Sequence, residues 1–426
     1  ATVHRQFISY PIADWQQTKW QMLNWCNRFN ICCFLDNQQY HLPHQSIECL
    51  AAAGGYRILT AEPGNAFEQL RAFYDQHHDW LFGHLSYDLK NEVEGLSSYH
   101  PDYIGFPGLC FFVPEVVLQL SGNTLHIGSL QNNHQSIFDA ICSQTINEPA
   151  PVTTVIRNRI NREQYIHIIQ QLQQHIRRGD CYEINFCQEF FAEEALIDPV
   201  QVYIALSQAS PNPFSAFYKA NERYLLCASP ERYLKKEGDR IYSQPIKGTS
   251  QRNLADSGAD EASRSALHTS VKDRAENVMV VDLVRNDLSK ICTQVQVDEL
   301  YGIYSFPQVH QMISTVSGQL QPGIHIIDAI RATFPMGSMT GAPKKKVMEL
   351  IEQYEHTRRG IFSGAVGYIR PDGDFDFNVV IRSIMYNASS RYLSFLAGSG
   401  ITFYSHPELE YEECLLKAAA IKKVLQ

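Results

Sequence analysis

Two short stretches constrain the fold of this chain more than any other feature. In RYLKKEGDRIYSQ, Arg232 to Gln244, two alternating segments flank a central Glu-Gly-Asp. In GAVGYIRPDGDFDFNVVIRSIMY, Gly364 to Tyr386, the turn residues are Pro371, Asp372, Gly373 and Asp374. Glycine beside an acidic residue, between runs rich in β-branched and aromatic side chains, marks a hairpin because glycine readily adopts the positive φ of a tight turn. A third strand, RYLSFLAGSG, begins at Arg391, and Pro407 opens a terminal helix to about Leu425. Helical periodicity covers Asn161 to Arg178 and roughly Gly258 to Val280. Antiparallel strands followed by helices predict an α+β fold with the helices outside the sheets.

With 426 residues, 44% of them hydrophobic, the chain can bury a large core as two domains or as one interleaved unit. Residues 1–150 carry apolar runs such as CCFLD (Cys32 to Asp36) and LCFFVPEVVLQL (Leu109 to Leu120). PAPVTT, Pro149 to Thr154, reads as a connector to a motif-dense part over 155–426. A formal charge of −9 without a polybasic run argues against a nucleic-acid partner. No window approaches the roughly eighteen apolar residues of a membrane span, and no secretory signal stands at the start, so a cytoplasmic protein is expected. The eleven cysteines lack CxxC pairs and are expected to be reduced, mostly buried thiols.

Acidic residues recur at helical spacing. Asp273 and Glu276 share one helix face, and Glu410 and Glu413 share another, with Lys417 one turn beyond Glu413. Taken alone, Glu413 and Lys417 are as readily a surface ion pair contributing about 0.2–0.5 kcal/mol. A hard divalent cation such as Mg²⁺ is the functional reading, since it accepts one or two carboxylates plus substrate oxygens. FPMGSMTGAPK, Phe334 to Lys344, is glycine-rich and leads into a helix, but it lacks the order GxxxxGK[ST]. Pro343 also removes a backbone donor, so a nucleotide-phosphate cradle is disfavoured. The hydroxyls of Ser338 and Thr340 near that helix start suit a carboxylate instead. No GxSxG elbow and no cysteine within a glycine-rich turn is present, so acyl transfer and glutamine hydrolysis have no support. Lys247, in SQPIKGT at the exit of the first hairpin, reads by itself as a solvated loop cation.

Together, SPER (Ser229 to Arg232), PIKGT (Pro245 to Thr249), AENVMVVDLVRND (Ala275 to Asp287), FPMGSMTGAPK, SGAVGY (Ser363 to Tyr368), IRS (Ile381 to Ser383), AGSGIT (Ala397 to Thr402) and PELEYEECLLKA from Pro407 resemble the chorismate-utilising enzymes. The likeness runs in order over about 155–426. GHLSYDLKNEVE, Gly83 to Glu94, is more weakly similar to the N-terminal region of the anthranilate and aminodeoxychorismate synthase large subunits. The resemblance implies large antiparallel sheets packed face to face, an N-terminal region over 1–150 and a chorismate-binding catalytic domain over 155–426. Anthranilate synthases carry alanine at the PIxGT position, whereas Lys247 resembles the branch that makes aminodeoxychorismate.

The resemblance implies that Lys247 is a nucleophile, by the following steps. Its amine attacks the second ring carbon of chorismate, the 4-hydroxyl leaves, and ammonia then attacks the fourth carbon and expels the lysine. A lysine with an unperturbed pKa of about 10.4 must lose its proton to attack, so an amine kept uncharged by desolvation or cationic neighbours is expected. The resemblance makes Glu231 the general acid, places His310 and Thr340 near the departing hydroxyl, and gives Glu276 and Glu413 to Mg²⁺, with Asp273 and Glu410 holding bound waters. Tyr368, Arg382, Lys417 and the backbone at Gly398 and Ser399 then hold the enolpyruvyl carboxylate. Ammonia is expected from a glutamine amidotransferase subunit, and a separate aminodeoxychorismate lyase is expected to complete 4-aminobenzoate for folate synthesis. The alternatives are anthranilate synthase component I and a non-catalytic chorismate- or tryptophan-binding regulatory subunit. Two residues depart from the family pattern: Glu183 stands where ammonia-using relatives commonly have glutamine and water-using ones lysine, and Asp273 where anthranilate synthases have glutamate.

Overall fold

A computed structural model describes residues 4–40, 42–44, 47–148, 152 and 154–426. Most of the expected connector, including Pro149, Ala150, Pro151 and Thr153, lies outside the described residues. Every strand pairing among the described residues is antiparallel, and the strands join into one hydrogen-bonded network. Strands from the first third pair with later ones: Ile31–Asp36 with Phe214–Ala220, and Leu81–Leu85 with Ala365–Ile369.

Side-chain alternation along these strands sorts the core into two clusters. Along Ile31–Asp36, Ile31 and Cys33 enter one cluster while Cys32 and Phe34 enter the other. Leu225 and Cys227 likewise oppose Leu226 and Ala228 in the Arg223–Ser229 strand. The second cluster lies under helices, taking Trp20, Ile168, Val202, Val347 and Tyr411 from the helices Trp15–Cys26, Arg162–Arg177, Pro199–Ala209, Lys344–Tyr354 and Pro407–Val424. The α+β expectation holds, since both sheet faces are apolar and need cover. Ten of the eleven cysteines are buried, Cys142 alone is exposed, and all are free thiols. Among the described residues, no helix is long and apolar enough to cross a membrane.

Both hairpins form, Arg232–Glu237 with Arg240–Gln244 and Ala365–Ile369 with Phe375–Asn378. The second is shorter than the sequence suggests, because the chain leaves the strand after Asn378 and Arg382 takes a left-handed φ of 50°. Ser383–Asn387 is a separate strand that pairs with Arg223–Ser229 and Tyr392–Thr402. The expected Gly258–Val280 helix is two, Ser257–Thr269 and Val271–Ser289, divided at Ser270, whose hydroxyl caps the second by accepting from the Asp273 amide.

A buried guanidinium ties several of these pieces together. Arg359 pairs with Glu355 at 2.7 Å, donates to the carbonyls of Asn185 and Met339, and Glu355 in turn accepts from the Cys187 amide. These contacts fix the Glu183–Ala192 strand against the Gly337–Met339 turn. The two side chains are 0% and 1% exposed, so Arg359→Ala leaves Glu355 with no counter-charge. That variant is expected to lose about 3–5 kcal/mol of stability, read as a lowered denaturant midpoint.

Candidate active site

Lys247 lies in the Ile246–Gln251 strand, where the pairing register shifts between Ile246 and Thr249. Gly248 at φ 107° occupies this irregular stretch, and a Cβ there would meet Asp273, Leu267 and Met312 on the helix side. Lys247 therefore projects to the opposite side, into the protein. Its ammonium stands 3.3 Å from a carboxylate oxygen of Glu183, with the two side chains 15% and 4% exposed. Asn277, from the Val271–Ser289 helix, holds the Lys247 carbonyl and accepts from the Ser314 hydroxyl.

Glu231 closes the site from the start of the first hairpin. One carboxylate oxygen accepts from the Ile246 amide at 2.8 Å and the other from the Ser338 hydroxyl at 2.8 Å. Burial pushes its pKa up to about 7, against the lowering effect of those hydrogen bonds, Lys247 and Arg382. Glu276 is also raised to about 7, by burial and by Glu183 and Asp273, while Lys247 and Lys272 oppose the shift. Burial alone lowers the lysine's proton affinity, but the carboxylates of Glu183, Glu276 and Glu231 more than reverse this and raise the Lys247 pKa. The expectation of an uncharged amine among cationic neighbours is thus corrected. In the ligand-free site Lys247 is an ammonium surrounded by acids.

Arg382 also faces Glu231. Desolvation lowers its pKa, Glu231 partly restores it, and among the described residues it forms no ion pair. Such a guanidinium suits a planar anion. A second group of residues lies along the same Tyr392–Thr402 strand. Ser399 donates a short hydrogen bond to Glu410, and Lys417 reaches the Gly398 carbonyl at 2.8 Å and Glu413 at 3.2 Å. Glu413 and Lys417 are each about half exposed, so without ligand they form the i,i+4 surface pair. Burial and the Glu413 charge raise the pKa of Glu410, and Lys272 lies within electrostatic reach of both Glu410 and Glu276. No three acids, histidines or cysteines among the described residues form a preassembled metal cage.

Three expected site residues are placed differently. Both His310 nitrogens are engaged, with Ser305 at 2.7 Å and Asp260 at 3.0 Å, which makes it a satisfied core histidine on the helix side of its strand. Its neighbour Gln311 points the other way, fully buried, with neither amide atom hydrogen-bonded. The Thr340 hydroxyl donates to the Met336 carbonyl, and only the Thr340 carbonyl reaches the site strand, accepting from the Asn185 amide. Tyr368 stacks in the core against Trp80 and Phe82, and it lines a cavity of about 40 Å³ with Asp36, Phe214 and Asp376. Its register opposite Phe82 sends the ring there, away from Lys247.

Glycine has a specific role at Gly400. An added Cβ would sit 2.5 Å from the Glu183 carboxylate and 2.9 Å from the Lys247 nitrogen, the movable ends of two side chains. Gly400→Ala is expected to displace that pair at less than about 1 kcal/mol of stability while lowering turnover by about 10²-fold. Steady-state kinetics and a thermal melt separate these effects. Sequence reasoning had missed Gly400's contact, Asn277, Ser338 as a partner of Glu231, and the Arg359 tie. Of these, Gly400, Asn277 and Ser338 lie within the motifs quoted above, and Arg359 lies outside them.

The family model for chorismate binding enzyme matches residues 32–423. The chain belongs to the chorismate binding enzyme family. Among curated proteins, aminodeoxychorismate synthase component 1 of Escherichia coli is 35% identical over 351 residues, spanning 81% of this chain and 76% of that protein. Anthranilate synthase component 1 of Thermus thermophilus is 31% identical over 393 residues, spanning 87% and 84%. Among solved structures, the anthranilate synthase component I of Streptococcus pneumoniae superposes with a TM-score of 0.77 at 24% identity, covering 90% of this chain and 95% of that one. The menaquinone-specific isochorismate synthase of Escherichia coli gives 0.76 at 18% identity, covering 100% and 96%. Those two superpositions speak for the fold of this family member.

Proposed function

We propose that this chain aminates chorismate with ammonia to 4-amino-4-deoxychorismate, through a covalent bond between the substrate ring and Lys247. The observation that carries the reading is the buried Lys247 amine, set between Glu183, Glu231 and Glu276, with Glu231 titrating at about 7. The names of the more similar curated relatives support the same reading.

Hydroxide is a poor leaving group, so its departure needs a proton. Glu231 holds one at neutral pH because its site is dry, and the Ser338 hydroxyl and Ile246 amide orient the carboxyl. The Lys247 nitrogen forms its bond to the second ring carbon, the ring double bonds shift, and the C4–O bond breaks as Glu231 delivers its proton, releasing water. Ammonia then bonds to the fourth carbon, Glu231 accepts a proton, and the Lys247 nitrogen leaves. Arg382 binds the enolpyruvyl carboxylate, with Lys417 and the backbone at Gly398 and Ser399 at the outer edge of the site. Lys417 must exchange its Glu413 contact to take part.

The donor set fits Mg²⁺. Glu276 is a half-buried carboxyl raised by burial and by neighbouring acids and, among the described residues, has no ion pair. Glu413 lies one turn beyond Glu410 on the Pro407–Val424 helix, and one or two carboxylates completed by substrate and water oxygens are what this ion accepts. Glu276 and Glu413 would hold it, with Asp273 and Glu410 behind them. When bound, it supplies positive charge to the substrate's ring carboxylate. We assign the ammonia supply to a glutamine-hydrolysing subunit and the later loss of pyruvate, which gives 4-aminobenzoate for folate synthesis, to a separate lyase.

Product identification from chorismate, ammonium and Mg²⁺ tests the reaction. The expected product carries its amine at the fourth carbon and keeps the enolpyruvyl group. An amine ortho to the carboxylate, with free pyruvate, would contradict it and favour anthranilate synthesis.

A further inference from the structure

We infer that Glu183 is a catalytic residue of the reaction proposed above, taking the proton from the Lys247 ammonium so that the amine can attack. Three observations support this, and all concern geometry. Glu183 is the only acid within ion-pair distance of the Lys247 nitrogen among the described residues, at 3.3 Å. Its carboxylate is buried, and neither oxygen has a hydrogen-bond partner that would compete for the proton. At Gly400 an added Cβ would come within 2.5 Å of one oxygen and 2.9 Å of the lysine nitrogen, so the two groups meet in space that only glycine leaves open. A surface ion pair needs no such fit.

The pair holds one shared proton. With the proton on nitrogen it is an ammonium–carboxylate pair, and with the proton on oxygen it is a neutral amine beside a carboxylic acid. Only the second arrangement can form the Nζ–C2 bond. After that bond forms, the nitrogen is a secondary ammonium, which keeps its proton and departs as the neutral Lys247 amine when ammonia bonds to the fourth carbon. The ammonium formed there gives its proton to the Glu231 carboxylate, and the Glu183 acid returns its proton to the Lys247 amine. Glu231 separately protonates the departing hydroxyl, so each proton has a stated donor and acceptor. The other charged groups facing Lys247 are Glu276 from the Val271–Ser289 helix and Glu231 from the hairpin, with Lys272 and Asp273 beside Glu276 and Arg382 beside Glu231. None of these lies within 4 Å of the lysine nitrogen.

An internal acceptor changes the pH dependence of the chemistry. While the pair carries one proton, moving it from nitrogen to oxygen exchanges nothing with solvent, so activating the amine adds no pH dependence to that set by the Glu231 proton. Without the carboxylate the ammonium must lose its proton to water, and the rate relative to wild type rises tenfold per pH unit until the lysine is neutral. Removing Glu183 also withdraws a charge that stabilises the ammonium, which moves the midpoint downward. The slope is therefore the readout.

The test measures the rate of adduct formation on Lys247 after mixing with chorismate and Mg²⁺ without ammonia, by quenched intact mass spectrometry from pH 6 to pH 9. Wild type is expected to be flat below pH 7 and to fall above it only as Glu231 loses its proton. Glu183→Gln is expected to be slower at pH 6 by on the order of 10²-fold, and its rate relative to wild type to climb with unit slope. Glu183→Asp keeps a carboxylate and is expected to keep the wild-type profile at a lower rate, which shows that the glutamine variant's behaviour is not a folding defect. A Glu183→Gln profile with the shape and rate of wild type would overturn the assignment of Glu183 while leaving the covalent reading intact. Absence of any adduct in wild type, with product still formed when ammonium is added, would overturn the covalent reading and this inference with it.

Discussion

Lys247→Ala is expected to lose 4-amino-4-deoxychorismate formation by on the order of 10³-fold or more, with chorismate binding changed only a few-fold. The reason is positional as well as chemical. Among the described residues, no other amine is within ion-pair distance of Glu183, Glu231 or Glu276, and Lys417 is held by Glu413 and the Gly398 carbonyl. The substitution also strips Glu183 of its counter-ion, so a loss of activity could be confused with a loss of stability. The double variant Lys247→Ala/Glu183→Gln removes both charges and serves as the folding control. It is expected to melt close to wild type and to be as inactive as the single variant. Turnover in either variant within tenfold of wild type would remove the covalent role.

Glu231→Gln should separate catalysis from stability in the opposite sense. As a general acid, Glu231 contributes about 10²–10⁴-fold, so kcat is expected to fall by that order at neutral pH. Activity in the wild type should also decline as pH rises past about 7, where the carboxyl gives up its proton. Stability should move the other way. The folded pKa of about 7 lies above the ordinary carboxyl value of 4.5, so the folded protein binds a proton more tightly between those values. This contribution is fully present below pH 4.5 and is lost as pH rises through 7. Glutamine is uncharged at every pH and keeps the shape. The variant is therefore expected to equal wild type near pH 4.5 and to gain on the order of 2–3 kcal/mol relative to it by pH 8. Equal stability of the two proteins at both pH values would show that folding does not raise the Glu231 pKa.

Much of the site was legible because its residues belong to short strand and turn motifs. SPER and PIKGT lie at the two ends of one hairpin, so placing Glu231 near Lys247 required only that the hairpin close. The charge around Lys247 was not legible in the same way. Glu183 comes from a distant strand whose neighbours, Gly341–Ala342 and Tyr392–Thr402, fix its depth, and that pairing is a property of the whole sheet. The expectation of cationic neighbours followed from the need for a neutral amine. The fold meets that need with an adjacent base.

Two of the three site residues placed differently share a cause. Tyr368 and His310 are real members of their motifs, but in a strand each residue faces opposite to its neighbours, and a motif by itself does not say which face is the site. For His310 the neighbouring Gln311 takes the inward face. For Tyr368 the pairing with Leu81–Leu85 points the ring at Trp80 and Phe82. The early end of the second hairpin has a local cause as well, the left-handed Arg382, which a run of apolar residues ending in arginine does not announce.

The central claim is that Lys247 bonds covalently to the ring, and intact mass spectrometry after exposure to chorismate and Mg²⁺ without ammonia tests it most directly. The account predicts a species heavier by chorismate minus one water, mapped by proteolysis to Lys247 and discharged when ammonium is added. An unmodified protein that nevertheless forms product once ammonium is supplied would contradict it.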